Sequence, residues 1–144
     1  MVQKVIIVIC MFFLACPTDW FNRTEKHKFG EPFSLKVGKK CEMIPDNLAI
    51  GFRKVIADSR CPLEVNCVWE GRADLDVWLR PAGEDTVFII PHIFGYVTRE
   101  YSMQHVSVDT LGYKITLRQL DPYPKHDITN DYSNYVAEFV VTKN

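Results

Sequence analysis

The sequence lacks an excess of charge of either sign. Its 144 residues include 17 Lys and Arg side chains against 18 Asp and Glu side chains, for a formal net charge of −1. A domain that binds nucleic acid or an anionic bilayer through its overall charge carries a clear basic excess. The chain as a whole therefore lacks the excess of positive charge that attracts nucleic acid or an anionic bilayer, and we expect no nucleic acid partner.

The spaced motifs of common enzymatic and metal chemistry are also missing. The four histidines lie in different segments and form no H-x-x-x-H or H-E-x-x-H pair, and there is no G-x-S-x-G elbow. The acidic loop 121–132 lacks EF-hand spacing, so we interpret it as solvated surface rather than a calcium site. We predict no catalytic residue, no metal ligand and no cofactor. A small hydrolase would need a nucleophile and base pair that the sequence does not suggest.

No apolar run reaches the roughly 20 residues that cross a bilayer as a helix. The longest run covers residues 5–15 and follows Lys4. A basic residue followed by an apolar segment of this length is typical of a secretory signal peptide. We therefore predict an export signal over residues 1–16, with a buried N-terminal strand or helix as the alternative.

The predicted signal ends in Phe13-Leu14-Ala15-Cys16, which resembles a bacterial lipobox. Ala15 and Cys16 match that pattern, whereas Phe13 and Leu14 depart from it. We predict lipidation at Cys16, which would anchor the protein to a membrane by burial of the acyl chains. Secretion with cleavage near Ala15 and an uncleaved anchor are the alternatives. The polar residues 17–32 are then predicted to form a flexible tether.

From residue 33 onward, apolar residues recur with period two. One such run consists of Ala73, Leu75, Val77 and Leu79, with Asp74 and Asp76 on the opposite face. About seven such runs, separated by Pro, Gly, Asn and Asp, cover residues 33–144, and a hairpin is predicted at residues 109–112. The pattern predicts an all-β fold, an antiparallel β-sandwich of about seven strands. An immunoglobulin-like topology fits it, and a small β-barrel is the alternative.

The densest motif spans residues 57–73, where Cys61 and Cys67 flank five residues. In an exported protein this pattern favours a disulfide, and the spacing does not match a C-x₂-C metal or redox pair. Cys41 is then expected as a free thiol. Pairing of Cys41 with Cys61 or Cys67, or with a second molecule, is the alternative.

Four polar or aromatic residues flank these cysteines: Asp58, Arg60, Trp69 and Glu70. Asp58 and Arg60 fit a local ion pair or caps for backbone N–H groups, and Trp69 would pack over the bridge. The same residues form a candidate binding loop. Loop stabilisation and binding both remain open at this point.

Residues 58–73 read D-S-R-C-P-x₄-C-x-W-x-G-x-A, and residues 112–124 read G-Y-x-I-x-L-x-x-L-x-P-Y-P. The two motifs together resemble a family of small uncharacterised bacterial exported proteins and lipoproteins, over roughly residues 33–143. Glu70 stands where the family pattern has Ala. The resemblance implies an envelope location and this architecture, and it implies no activity.

These features predict a non-catalytic binding or structural module on the bacterial cell envelope, facing the periplasm or the cell surface. Its partners would be the membrane, through the N-terminal lipid, and a protein of the envelope. The alternative is a periplasmic inhibitor or partner-binding protein that acts through loops at residues 58–69 or 122–132.

Mass spectrometry of the mature protein, purified from a bacterial host that processes lipoproteins, should find Cys16 at the N-terminus with a diacylglyceryl mass. A retained Met1 or an unmodified Cys16 would contradict the lipidation prediction.

Overall fold

The computed structural model describes residues 24–96, 106–126 and 131–144, so the predicted export signal and Cys16 lie outside the described residues. The described chain forms ten strands and one 3₁₀ turn at Tyr132–Asn134, with no α-helix. The strands in chain order are β1 (Glu25–Lys28), β2 (Pro32–Lys36), β3 (Lys40–Ile44), β4 (Leu48–Asp58), β5 (Arg72–Arg80), β6 (Val87–Ile89), β7 (His92–Phe94), β8 (Ser107–Thr110), β9 (Tyr113–Asp121) and β10 (Val136–Lys143).

The strands form two sheets packed face to face. The first sheet has the order β1-β3-β4-β5-β6, with β7 also paired to β5, and the second has the order β2-β10-β9-β8. Neighbouring strands are antiparallel except β1, which runs parallel to β3. The predicted β-sandwich is confirmed, and the strands of the described residues do not close into a barrel. Three strands go beyond the predicted seven, namely β1, β3 and β7, which are only three to five residues long.

Apolar side chains from the two inner faces form one core. On β5, Leu75, Val77 and Leu79 are fully buried, as their alternation predicts. Across the sheets, the Phe139 ring meets Phe52 edge-on, with the ring centroids 6.3 Å apart. Burial of one side chain of this size contributes about 1.5–3 kcal/mol to the free energy of folding. The whole set of buried apolar side chains therefore supplies the main driving force for the fold.

Strand β1 overturns part of the tether prediction for residues 17–32. Glu25–Lys28 pairs with Cys41–Ile44, and the ring of His27 stacks on Phe33 at a centroid distance of 4.9 Å. The sequence of β1 is polar because backbone hydrogen bonds at a sheet edge, rather than burial, hold it in place. The folded domain therefore includes Glu25 and does not begin at residue 33. Residues 17–23 of the predicted tether lie outside the described residues.

The hairpin predicted at residues 109–112 is present between β8 and β9. Its two turn residues, Leu111 and Gly112, have φ values of 52° and 77°. A two-residue turn of type I′ needs positive φ at both positions, because its twist then matches that of the strands. Gly112 adopts this conformation without the steric cost that a side chain brings.

Cys41 is a free cysteine, fully buried on the inner face of β3. Burial raises the pKa of its thiol to about 12, and the nearby carboxylates of Glu25 and Glu42 add to the rise. The free thiol predicted for Cys41 is therefore present, and its reactive thiolate form is strongly disfavoured.

A maleimide should leave Cys41 unlabelled in the native protein near neutral pH and label it in denaturant, as read by peptide mass spectrometry. Rapid labelling of Cys41 in the native state would contradict its burial.

The raised pKa of Cys41 also predicts that the free energy of unfolding depends on pH. The protonated thiol contributes fully to this free energy below the ordinary thiol pKa of about 8.5, and the contribution is lost as the pH rises toward 12.

Candidate functional site

One end of the sandwich gathers the connections that carry the cysteine motif. Residues 59–71, named here the disulfide loop, join the end of β4 to the start of β5. Residues 122–126 follow β9 at the same end. Arg60 of the disulfide loop donates hydrogen bonds there to the carbonyls of Leu120 and Pro122. This end therefore holds the four site residues predicted from the sequence, Asp58, Arg60, Trp69 and Glu70.

Asp58 and Arg60 form a buried ion pair at the base of the disulfide loop. Arg60 Nη2 lies 2.7 Å from Asp58 Oδ2, and Arg60 Nε lies 2.9 Å from Asp58 Oδ1. The two side chains are 1% and 0% exposed for Arg60 and Asp58 respectively. A two-point contact of this kind is the strongest form of an arginine–carboxylate bond. The local ion pair read from the sequence is therefore present, and neither side chain is exposed to a partner.

The other donors of Arg60 reach the connection after β9. Arg60 Nη1 donates to the carbonyl of Leu120 at 2.9 Å, and Nη2 donates to the carbonyl of Pro122 at 3.3 Å. The guanidinium also lies 4.6 Å from the centroid of the Tyr123 ring. The hydroxyl of Tyr123 in turn accepts a hydrogen bond from the backbone N–H of Tyr96. Arg60 therefore links the disulfide loop to the connection after β9, and Tyr123 links that connection to the one after β7.

Tyr135 completes the surroundings of the ion pair. Its hydroxyl donates to Asp58 Oδ2 at 3.0 Å, and the residue is fully buried. Burial, reinforced by the neighbouring Asp58 carboxylate, raises the pKa of the phenol. Tyr135 therefore stays protonated and keeps its role as a donor. In the sequence, only the place of Tyr135 in an alternating apolar run distinguishes it, and that pattern predicts burial but no hydrogen-bond partner.

Backbone hydrogen bonds pair the first residues of the disulfide loop with residues at its end and at the start of β5. The N–H of Ser59 donates to the carbonyl of Arg72, and the N–H of Cys61 donates to that of Glu70, each at 2.9 Å. Gly71 lies in the second of these paired segments and has a φ of +64°. A Cβ added to it would overlap the Ser59 carbonyl. The glycine of the motif is therefore required by both its backbone angle and this close approach.

The predicted disulfide between Cys61 and Cys67 is present. Beyond it the loop exposes three large apolar side chains, with Leu63, Val68 and Trp69 at 69%, 91% and 72% exposure. Trp69 is thus a surface residue rather than the buried cover of the bridge suggested by the sequence. The loop combines an immobilised base with an apolar outer surface.

No group of three His, Cys, Asp or Glu side chains within the described ranges could hold a metal ion. No helix of the described chain is long and apolar enough to cross a membrane. A shallow pocket of about 350 Å³ lies near the β3–β4 turn, lined by Lys28, Phe29, Ile44 and Pro45. Its lining brings no nucleophile together with a base.

Replacement of Arg60 by Met should lower the free energy of unfolding by about 3–5 kcal/mol, because it leaves the Asp58 carboxylate buried without its cation. Arg72→Met is the matched control, since the Arg72–Asp74 pair is exposed and should contribute at most about 1 kcal/mol. Urea unfolding followed by circular dichroism measures both. Equal small losses would show that the buried pair does not hold the loop base.

Comparison of the chain with protein-family models, with curated proteins and with solved structures finds no match. The geometry of the disulfide loop and of the sheets is therefore the basis for a functional proposal.

Proposed function

We propose that this protein is a non-catalytic binding module of the bacterial cell envelope and that the disulfide loop is its contact surface for a protein partner. The observation that carries the proposal is the exposure of Leu63, Val68 and Trp69 on a loop whose base is buried and covalently closed.

Exposed apolar side chains cost free energy in water, and single ones are common on protein surfaces. Three within seven residues of one loop form a local apolar surface of the kind that marks interaction sites. Tryptophan is enriched among the few residues that dominate interface energies. Trp69 is therefore expected to supply the largest single share of the binding energy.

The loop is also pre-organised for binding. The disulfide, the backbone pairing at Ser59 and Cys61, and the buried Asp58–Arg60 pair restrict its base before any partner arrives. A restricted loop loses less conformational entropy on binding, so more of its contact energy is retained as affinity. Asp58 and Arg60 contribute to binding only by positioning the loop, whereas Trp69 and the half-buried Glu70 lie at its surface.

The charge of the loop indicates the chemistry of the partner. Residues 61–71 include Glu64 and Glu70 and no Lys or Arg. A projecting, apolar and acidic loop is complementary to an apolar recess with a basic rim. A periplasmic inhibitor is the case in which that recess is the cleft of an enzyme.

The envelope location is supported by two features of the chain. The apolar segment at residues 5–15 is typical of an export signal. The Cys61–Cys67 disulfide is suited to an oxidising compartment outside the cytosol.

Affinity capture from envelope extracts, with a C-terminal tag on the full chain, tests the loop. Val68→Asp and Trp69→Ala should lose a partner that the wild type and Lys114→Ala recover, because Lys114 is exposed on β9 away from the loop. With the purified partner, Trp69→Ala should weaken binding by about 30-fold, or 2 kcal/mol.

A second variant distinguishes the effect of loop rigidity on affinity from the effect of the apolar side chains that contact the partner. Replacement of both Cys61 and Cys67 by Ala should weaken binding while it retains Leu63, Val68 and Trp69. Thermal unfolding of each variant checks that the sandwich is intact. Recovery of the same partner with equal affinity by all loop variants would exclude the disulfide loop as the contact surface.

A further inference from the structure

The outer face of the first sheet carries a second surface that the disulfide loop does not use. Two aromatic side chains lie among basic ones there. We name this surface the basic aromatic face, and it comprises Lys40, Arg53, Lys54, Trp78, Arg80 and Phe88.

Strand register aligns the centre of the basic aromatic face. Lys40 pairs with Gly51, Gly51 with Trp78, and Trp78 with Phe88, so the four positions form one row across β3, β4, β5 and β6. An added Cβ at Gly51 would overlap the indole of Trp78. The indole therefore lies against the backbone of β4, and the face stays flat.

Each ring of this face is accompanied by an arginine. The Arg53 guanidinium lies 5.0 Å from the centroid of Phe88, and the Arg80 guanidinium lies 5.8 Å from that of Trp78. A guanidinium stacked on a ring keeps its in-plane N–H groups available for oxygen acceptors such as phosphate. The arginines are thus placed for an anionic ligand without any change of the rings.

The balance of charge on this face is basic, in contrast to the chain as a whole. The acidic side chains on the outer face of β3 and β5 all have basic partners, in the pairs Lys26–Glu42, Arg53–Asp76 and Arg72–Asp74. None of the ion pairs among the described residues involves Lys40, Lys54 or Arg80. An anionic ligand therefore finds positive charge that the protein itself does not neutralise.

Apolar side chains project beside these charges. Phe88 is 58% exposed, and Ile90, just after β6, is 60% exposed. Exposed apolar side chains set among lysines and arginines are the composition that inserts at the boundary between lipid headgroups and acyl chains. Isoleucine offers neither a ring for stacking on a sugar nor a hydrogen-bond donor, which favours lipid over an acidic glycan.

We propose that the basic aromatic face docks on an anionic lipid surface. The choice of lipid as the occupant rests partly on the envelope location proposed above. β1, at the edge of this same sheet, begins nine residues after Cys16. Nine residues reach at most roughly 30 Å, so an anchor at Cys16 keeps this sheet near the membrane. The disulfide loop then remains a separate surface for a protein partner.

Fluorescence of Trp78 in the full chain tests this docking. The chain holds three tryptophans, so Trp20→Phe with Trp69→Phe leaves Trp78 as the reporter. Phosphatidylcholine vesicles with and without phosphatidylglycerol, each with a spin label on some headgroups, are the probe. We expect strong quenching only with phosphatidylglycerol, and its loss at high salt.

The reporter chain with Lys40→Glu and Lys54→Glu should show a partition coefficient at least about 25-fold lower, because each unpaired basic residue near an anionic leaflet contributes about fivefold. Lys114→Glu with Arg118→Glu makes the same charge change on the second sheet and should leave quenching unchanged. The N-terminal segment is common to all variants, so its own lipid affinity cancels in the comparison. Circular dichroism confirms that each variant is folded.

Equal quenching without phosphatidylglycerol, or equal quenching in the Lys40 and Lys54 double variant, would overturn the proposal. Absence of quenching together with binding to an immobilised acidic polysaccharide that requires Lys40 and Lys54 would overturn it in favour of a glycan. Val68→Asp, which tests the disulfide loop, should leave Trp78 quenching unchanged, so failure of one surface is distinguishable from failure of the other.

Discussion

The ion pair between Asp58 and Arg60 is the interaction on which the loop end of this protein depends. Both side chains are almost completely buried, and every other ion pair among the described residues is at least partly exposed. A buried pair gains little net free energy over a well-packed apolar pair, because desolvation of both charges offsets their attraction. Its effect is geometric, since the Arg60 guanidinium donates four hydrogen bonds to fixed acceptors on Asp58, Leu120 and Pro122. Those acceptors lie on β4 and on the end of β9, and the pair holds these segments in one arrangement.

This arrangement separates the source of stability from the surface proposed for binding. The free energy of folding comes from the apolar core between the sheets, which includes Phe52 and Phe139. The disulfide loop contributes little to that core and exposes Val68 and Trp69. Because the loop base is held by charge, backbone pairing and a disulfide, we expect substitution of its exposed outer residues to leave the fold intact. A sandwich of this kind presents a loop in a defined position without refolding.

The two proposed surfaces differ in charge as well as in place. The disulfide loop is acidic and apolar, whereas the outer face of the first sheet is basic and aromatic. The net charge of −1 does not reveal this difference, because adding all charges of the chain discards where each charged residue lies. Strand register sets the position, because it places Trp78 beside both Gly51 and Phe88. Opposite charge on separate surfaces would allow a membrane contact and a protein contact at the same time.

The sequence by itself determined the features that depend on neighbouring residues. Period-two alternation predicted β5 and the sandwich, the turn chemistry predicted the hairpin at residues 109–112, and cysteine spacing predicted the Cys61–Cys67 bridge. Only the tertiary structure decided that polar β1 joins the first sheet and that Arg60 bonds to Leu120, 60 residues away. Alternation is a local consequence of the pleated backbone, so it can be read along the chain. Sheet order, register and the partners of a buried charge depend on residues that are distant in sequence, and only packing brings those together.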